Sequence, residues 1–376
     1  MPLKVLLFQI GSIGDTAVSI PAFRAVQAHF GEGAEFWVLY DRQAHLSYSA
    51  ADVLQAVGGI QEFLPYPASG SWFGRRGAAL KALLSLRAHR FNAVVYLAPS
   101  QRSPRSVRRD RFFFRMAGIP VLLGFHTFQK AQLYPEKRDG HPAEVPSEAW
   151  ARLERLKWDG VEIEAEALLT PPFLRPRSEA IARVHPWLAE HRRHPDRPLV
   201  AIAPGAKQPV NLWPLDRFIS LGRNLIRSKT AELVVVGGQA EQGAGEACIA
   251  AWNQGLNAAG RFSVGETLAL LSECALLIGL DTGTTHLAAA AGVPCVAIYS
   301  DKDNPGRWHP LGANHTVIRK KVPCGGCRLI HDPCPISGHP CIESITVDEV
   351  TAACQRRLQE LSQDTAPKKQ VPTRHP

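Results

Sequence analysis

Two short stretches of this chain carry the residue types for moving a group between oxygens. In Gln9-Ile10-Gly11-Ser12-Ile13-Gly14-Asp15-Thr16, two glycines precede an acid. Glycine permits a tight turn and close approach of a ligand to the backbone. An aspartate on a cleft-facing turn can take a proton from an attacking hydroxyl. The same side chain suits a helix N-cap, and one residue can do both. In Asp281-Thr282-Gly283-Thr284-Thr285-His286, an acid and three hydroxyls follow the apolar run Ala275–Gly279. The small-residue helix that follows, read over Leu287–Ala291, points free N–H groups and the positive end of its dipole back at the turn, which suits a diphosphate. Thr282, Gly283 and Thr284 are candidates for holding phosphate oxygens, and Asp281 for accepting hydrogen bonds from sugar hydroxyls.

Residues 203–214, APGAKQPVNLWP, form a third strand-to-helix turn. Gly205 allows close approach, and Lys207 offers either a point charge for phosphate or a solvated surface lysine. In residues 237–243, GGQAEQG, a tight connection is the simpler reading. The spacing at Gly11 and Gly14 is G-x-x-G rather than G-x-G-x-x-G, so a dinucleotide site is unsupported.

Residues 102–115 carry six arginines and three phenylalanines. The default reading is a solvated helix face. The sharper one is a platform for an anionic acceptor or for lipid phosphates, with Arg102 and Arg105 joining Gly11 and Ser12 as acceptor-side candidates. Cys324, Cys327, Cys334 and Cys341 read C-x2-C-x6-C-x6-C, with His331 and His339 nearby. This pattern suits structural zinc or an iron–sulfur cluster, or reduced thiols packed in a loop. In either case it stands apart from catalysis.

These turns need strands to carry them. The chain of 376 residues is long enough for two domains. Its 45% hydrophobic and 20% charged content fits a soluble globular enzyme. No apolar run reaches the roughly 18 residues of a membrane span, and Met1–Gln9 reads as a first strand rather than a signal peptide. A cytoplasmic location is expected. The net charge of +9 favours anionic partners, but no nucleic-acid module accompanies it. Strand and helix patterns alternate through both halves, predicting α/β architecture with two Rossmann-like domains whose parallel sheets face an interdomain cleft. The expected division is an acceptor-side domain over 1–172, a linker over 173–196 and a nucleotide-sugar domain over 197–346 with a cysteine-rich loop at 322–342. A final helix over 347–362 and a disordered tail over 363–376 follow.

Three segments together resemble glycosyltransferase family 9, the ADP-heptose:lipopolysaccharide heptosyltransferases. They are LLFQIGSIGDT, the APGA…LWP…F segment, and SECALLIGLDTGTTHLAAAAGVPCVAIY, and the likeness covers most of residues 3–350. The resemblance implies the GT-B fold and a metal-independent, inverting transfer of heptose from ADP-heptose, with no cofactor required. The acceptor expected is a lipopolysaccharide core or a related anionic glycolipid, which the positive charge near Arg102–Arg115 would hold by peripheral contact with the inner leaflet of the cytoplasmic membrane. The resemblance makes Asp15 the general base and Asp281 the acid touching the donor sugar. It makes Thr282, Gly283 and Thr284 the diphosphate cradle, with His286 its neighbour. Two positions depart from the family pattern. Asn211 stands where a lysine usually precedes the Trp-Pro pair, with Lys207 as a possible substitute, and Gln9 stands where a lysine often ends the first strand. These departures support a second reading, a non-catalytic nucleotide-sugar or glycan-binding protein on the same fold, against which the retained Asp15 weighs.

Overall fold

The computed structural model describes residues 2–42, 48–67, 72–330 and 334–364. Strands β1 (Leu3–Gln9), β2 (Ala34–Arg42), β3 (Ile60–Pro67), β4 (Ala93–Tyr96) and β5 (Val121–Leu123) form one sheet in the order β3-β2-β1-β4-β5. Strands β6 (Leu199–Ala203), β7 (Glu232–Val235), β8 (Leu256–Asn257), β9 (Leu276–Leu280), β10 (Cys295–Tyr299) and β11 (His315–Arg319) form a second, in the order β11-β10-β9-β6-β7-β8. Every pairing is parallel. A parallel step needs a crossover, so helices cover both faces and central strands are apolar along their whole length. AVVY of β4, LLIGL of β9 and CVAIY of β10 are buried at every position. This is the two-sheet α/β architecture that the alternation predicts.

The order within each sheet reverses beside its first strand. Ligands bind open sheets of this kind beyond the carboxyl ends of the strands at such a point. β1 ends there at Gln9, and β9, the neighbour of β6, ends at Leu280. One apolar cluster runs from β1 and the helix Ile20–Phe30 of the first lobe to the helix Gly283–Ala290 of the second, so the lobes share packing.

Three elements differ from expectation. The sequence from Asp15 to His29 reads as one helix, with Pro21 in or near its first turns, but the structure has two, Ile13–Ala17 and Ile20–Phe30. Pro21 sits in the first turn of the second helix, where its missing N–H costs nothing, and so starts a new helix. The helix expected from Leu287 begins a turn earlier at Gly283, with Thr282 extended at its N-cap. The proline-rich stretch at 170–178 is extended and tied down: Phe173 and Leu174 donate to the Ala290 carbonyl at 2.6 and 2.9 Å, and Arg24 donates to the Phe173 carbonyl at 2.6 Å. The helix Ser178–His191 then lies within the expected linker, burying Val184, Trp187 and Leu188. Of the tail expected to be disordered, residues 365–376 lie outside the described residues. No helix among the described residues is long and apolar enough to cross a membrane.

Candidate functional site

The chain leaves β1 through Gly11, whose φ of +121° is open to glycine and strained for other residues. A Cβ there would also lie 2.5 Å from the Asp15 carboxylate. The Gly11 N–H donates to Asp41 at 3.0 Å. Ser12 is the N-cap of the helix Ile13–Ala17, and Asp15 is its third helical residue. Asp15 therefore does not cap by the route its sequence position suggests. Instead its Oδ2 accepts from the Ser12 N–H at 2.8 Å and the Ser12 hydroxyl at 3.0 Å, the return half of a capping box. The polar hydrogens of Gly11 and Ser12, both acceptor-side candidates, are thus committed inside the turn.

Beneath Asp15 lies a buried charged cluster. Arg152 is fully buried, donates to the Asp15 carbonyl and holds its guanidinium 3.8 Å from Asp15 Oδ1. Its Nε lies 3.5 Å from Glu148, whose carboxylate accepts from the Ser100 N–H and hydroxyl, each at 2.6 Å. Arg155, one turn on, donates to the Ala98 carbonyl at 2.6 Å, and burial pushes its guanidinium down to about 10. The helix Glu148–Lys157 thereby joins the ends of β1 and β4 from below. Gln9, at the end of β1, is fully buried and donates to Thr16 and to the Ile10 carbonyl.

On the second lobe, β9 delivers Asp281. Asn211 Nδ2 donates to the Asp281 carboxylate at 3.1 Å and to its carbonyl at 3.2 Å, while Asn211 Oδ1 accepts from the Ser300 hydroxyl at 2.7 Å. Thr285 donates to the Leu280 carbonyl at 2.7 Å, closing the turn from inside. His286 is buried with Nε2 3.8 Å from Asp281, and Trp308 lies edge-on to its ring. Thr282, Gly283 and Thr284 remain half-buried at the open end of the helix Gly283–Ala290.

The two turns meet. A Cβ on Gly283 would lie 2.9 Å from Ile13 Cβ and 3.3 Å from the Gly14 nitrogen. A Cβ on Gly14 would lie 2.9 Å from the His286 ring and 3.6 Å from Gly283 Cα. The helix bearing Asp15 thus rests on the N-terminus of the helix that follows Asp281, with glycine on both sides of the contact.

A family model described as glycosyltransferase family 9 (heptosyltransferase) matches residues 112–335. The chain belongs to glycosyltransferase family 9. It is 25% identical over 328 residues to lipopolysaccharide heptosyltransferase 2 of Escherichia coli strain K12, covering 84% of this chain and 88% of that protein. A glycosyl transferase family 9 structure from Veillonella parvula aligns with a TM-score of 0.71 at 16% identity over 95% of this chain and 97% of that one. The E. coli ADP-heptose lps heptosyltransferase II aligns with a TM-score of 0.67 at 20% identity over 96% and 100%. As a family 9 member the chain is a glycosyltransferase, and its paired parallel sheets are the GT-B arrangement.

The other sequence candidates fall differently within this family 9 fold. Gly205 faces Glu241: a Cβ there would lie 2.3 Å from the glutamate side chain, which also accepts the Gly238 N–H at 2.8 Å. The 237–243 turn therefore braces the 203–207 turn. Lys207 is exposed at its tip. Arg102 precedes the helix Pro104–Met116 rather than riding on it, and it pairs at 2.8 Å with buried Asp110, which also accepts from Tyr96 at 2.9 Å. Arg105 is exposed.

The four clustered cysteines line one pocket behind Val210, with Asp301 and His339. Asp301 accepts from the Val322 N–H at 3.1 Å and pairs with Arg319, and its backbone carbonyl accepts from Gly326. The loop is thus ordered by a buried aspartate. Among the described residues no three His, Cys, Asp or Glu side chains are arranged to hold a metal ion, and burial pushes the Cys324 and Cys341 thiols up, against the thiolate form. His331 lies outside the described residues. The four cysteines share a pocket, but no metal-ligand set is formed among the described residues, which lend the zinc or iron–sulfur reading no support.

Sequence reasoning passed over Glu148, Arg152 and Arg155. Their signal was a helical i, i+4, i+7 charge stripe beside the apolar Ala149, Leu153 and Leu156.

Proposed function

We propose that this protein is an inverting heptosyltransferase, moving heptose from ADP-heptose to a lipopolysaccharide core or a related anionic glycolipid. The observation that carries this reading is the contact of the Asp15 turn with the open end of the helix Gly283–Ala290. It supports the reading by packing the short helix that carries Asp15 against the start of the helix that follows Asp281, from opposite lobes. The N–H groups of Thr282, Gly283 and Thr284 would hold the diphosphate, assisted by the helix dipole and by Lys207 at the tip of its turn. Asp281, held in place by Asn211, would orient the sugar.

In the reaction, the acceptor oxygen forms a bond to the anomeric carbon as the bond from that carbon to the diphosphate oxygen breaks. The acceptor proton passes to the Asp15 carboxylate, and the electron pair leaves with ADP. Charge grows on the diphosphate, where dipoles already aimed at it stabilise it without rearranging. A single displacement inverts the anomeric configuration. The names of the E. coli relatives support heptose, ADP and lipopolysaccharide as substrate classes. No residue in this scheme asks for a metal, so transfer should continue in a chelator. A lipid-borne acceptor brings the enzyme to the inner surface of the cytoplasmic membrane.

The test is Asp15→Asn. Donor binding by calorimetry should be retained while ADP release in the presence of acceptor falls by about 10²–10⁴-fold, the usual worth of a general base. An undiminished rate refutes the assignment of the base. A parallel titration of ADP-, UDP- and GDP-sugars identifies the donor.

A further inference from the structure

The first lobe carries exposed large apolar side chains on two neighbouring helices. The helices Trp72–His89 and Pro104–Met116 touch each other and pack on the same apolar cluster, through Leu86 from the first and Val107 and Phe114 from the second. Their outward faces do not follow the usual polar pattern. Phe112, Leu84 and Leu80, at 67%, 58% and 57% exposure, are the most exposed large apolar side chains among the described residues. Met116 is 47% exposed. Leu80 and Leu84 are four apart on one helix, and Phe112 and Met116 four apart on the other, so each pair forms a stripe.

The charge around these stripes has one sign. Lys81, Arg108, Arg111 and Arg115 are exposed on the same two helices. The helix Trp72–His89 contains no Asp or Glu. The helix Pro104–Met116 contains one, Asp110, which is buried and held by Tyr96, Arg102 and Arg109. An exposed apolar patch on a soluble lobe marks a contact surface. An apolar strip rimmed by cations, with no exposed acid on either helix, matches the boundary between anionic headgroups and acyl chains.

The patch also connects to the catalytic side. Ser103 caps the helix Pro104–Met116, and Ser100, three residues earlier, is held by Glu148, which also lies against Arg152 under Asp15. The helix thus starts four residues after Ser100, which is tied to the charged cluster under Asp15.

We infer that the face presented by Leu80, Leu84, Phe112 and Met116 is the docking surface of this enzyme on an anionic phospholipid bilayer. The face holds the first lobe against the lipid, so that an acceptor anchored in that bilayer enters next to Asp15. This rests on the lipid-borne acceptor of the proposed function, but docking is measured without donor or turnover.

The experiment is co-sedimentation of the full chain with vesicles rich in phosphatidylglycerol and with neutral phosphatidylcholine vesicles, at low and high salt. The expected result is binding to the anionic vesicles, weakened by salt and weak on the neutral ones. Leu84→Glu with Phe112→Glu should reduce binding by about tenfold or more, because it places acids in the apolar strip. Arg108→Gln with Arg111→Gln and Arg115→Gln, which leaves the apolar strip intact, should reduce it by a similar factor. The Leu84→Glu, Phe112→Glu variant should transfer sugar to a delipidated, water-soluble acceptor at the rate of the unaltered protein. Failure of that soluble reaction in the unaltered protein would count against the proposed function and not against docking. Equal binding to neutral vesicles, or unchanged binding of both variants, overturns the inference. So does a concentration-dependent dimer that the Leu84→Glu, Phe112→Glu variant abolishes, which would make the face a self-association surface.

Discussion

At the scale of single residues, the donor side turns on Asn211. Its amide donates to both the carbonyl and the carboxylate of Asp281, and its oxygen accepts from Ser300, so a buried neutral side chain fixes the one acid at the end of β9. A lysine at this position would bring charge to the diphosphate, whereas asparagine brings only position. Asn211→Ala removes three hydrogen bonds and leaves the Asp281 carboxylate free to turn. The expected loss in kcat/KM is about 5–150-fold, the worth of one to a few unpaired hydrogen bonds, with the larger part in the KM for the donor sugar. Steady-state kinetics at varied donor concentration checks it, and unchanged values would show that Asp281 needs no such holder. Asp281 stands out as a candidate in the sequence because it follows an apolar strand directly, and Asp15 because it closes a glycine-bearing turn after one. Arg152 and Glu148 do not, because charges on a helix read as solvated until the elements that bury them are known. Here those elements are β1, β4 and the loop after β4, all distant in sequence.

At the scale of elements, the proposed site is a contact between two helix starts, and glycine sets its closeness. Gly283 is the first residue of its helix and sits in ordinary helical backbone, so alanine there brings no strain of its own. Alanine in a helix is more favourable than glycine by about 0.5–1 kcal/mol. The new methyl would nevertheless lie 2.9 Å from Ile13 Cβ, and the two helices must move apart. Gly283→Ala should therefore lower the melting temperature only modestly, because the gain within the helix offsets part of the overpacking, while kcat/KM falls by about tenfold or more, since a shift near 1 Å between reacting groups is costly. Wild-type kinetics in this variant would show that the helix contact is unimportant to transfer. The strands were readable from their unbroken apolar runs, as expected for a parallel sheet covered on both faces. The start of the helix Gly283–Ala290 was misplaced by a turn, because Thr-Gly-Thr-Thr is poor helix material and only packing against Ile13, Gly14 and the β9 turn makes it helical. β8 and β11 escaped notice for a related reason. The first is two residues long, and the second, HTVIR, is half-buried at an edge with no continuous apolar run.

At the scale of the whole molecule, the second lobe carries histidines whose titration should govern how the protein tolerates acid. His309, His315 and His339 are all held below the usual imidazole value, and in each the largest cause is burial, which penalises the charged ring. His315 shows the structural reason most clearly. Its Nε2 donates to the Leu311 carbonyl at 2.8 Å while its Nδ1 accepts from the Cys295 N–H at 3.2 Å, and a doubly protonated ring has no acceptor left for β10. In the unfolded chain each of these histidines takes up a proton as the pH falls through about 6.5. The folded protein resists until a lower pH, so over that interval the unfolded state binds more protons and stability falls as the solution is acidified. Glu266 and Glu349 are held below their usual value by the opposite logic, and their contribution is lost only as the pH drops below about 4.5, outside this window. The melting temperature should therefore drop by several degrees between about pH 7 and about pH 5, before the carboxylates titrate. His315→Gln keeps a donor and an acceptor but cannot titrate, so its melting curve should depend less steeply on pH. A protein whose melting temperature is flat across that range, or a His315→Gln variant with the full slope, would mean that these rings protonate in place without loosening β10 and the helices packed on it.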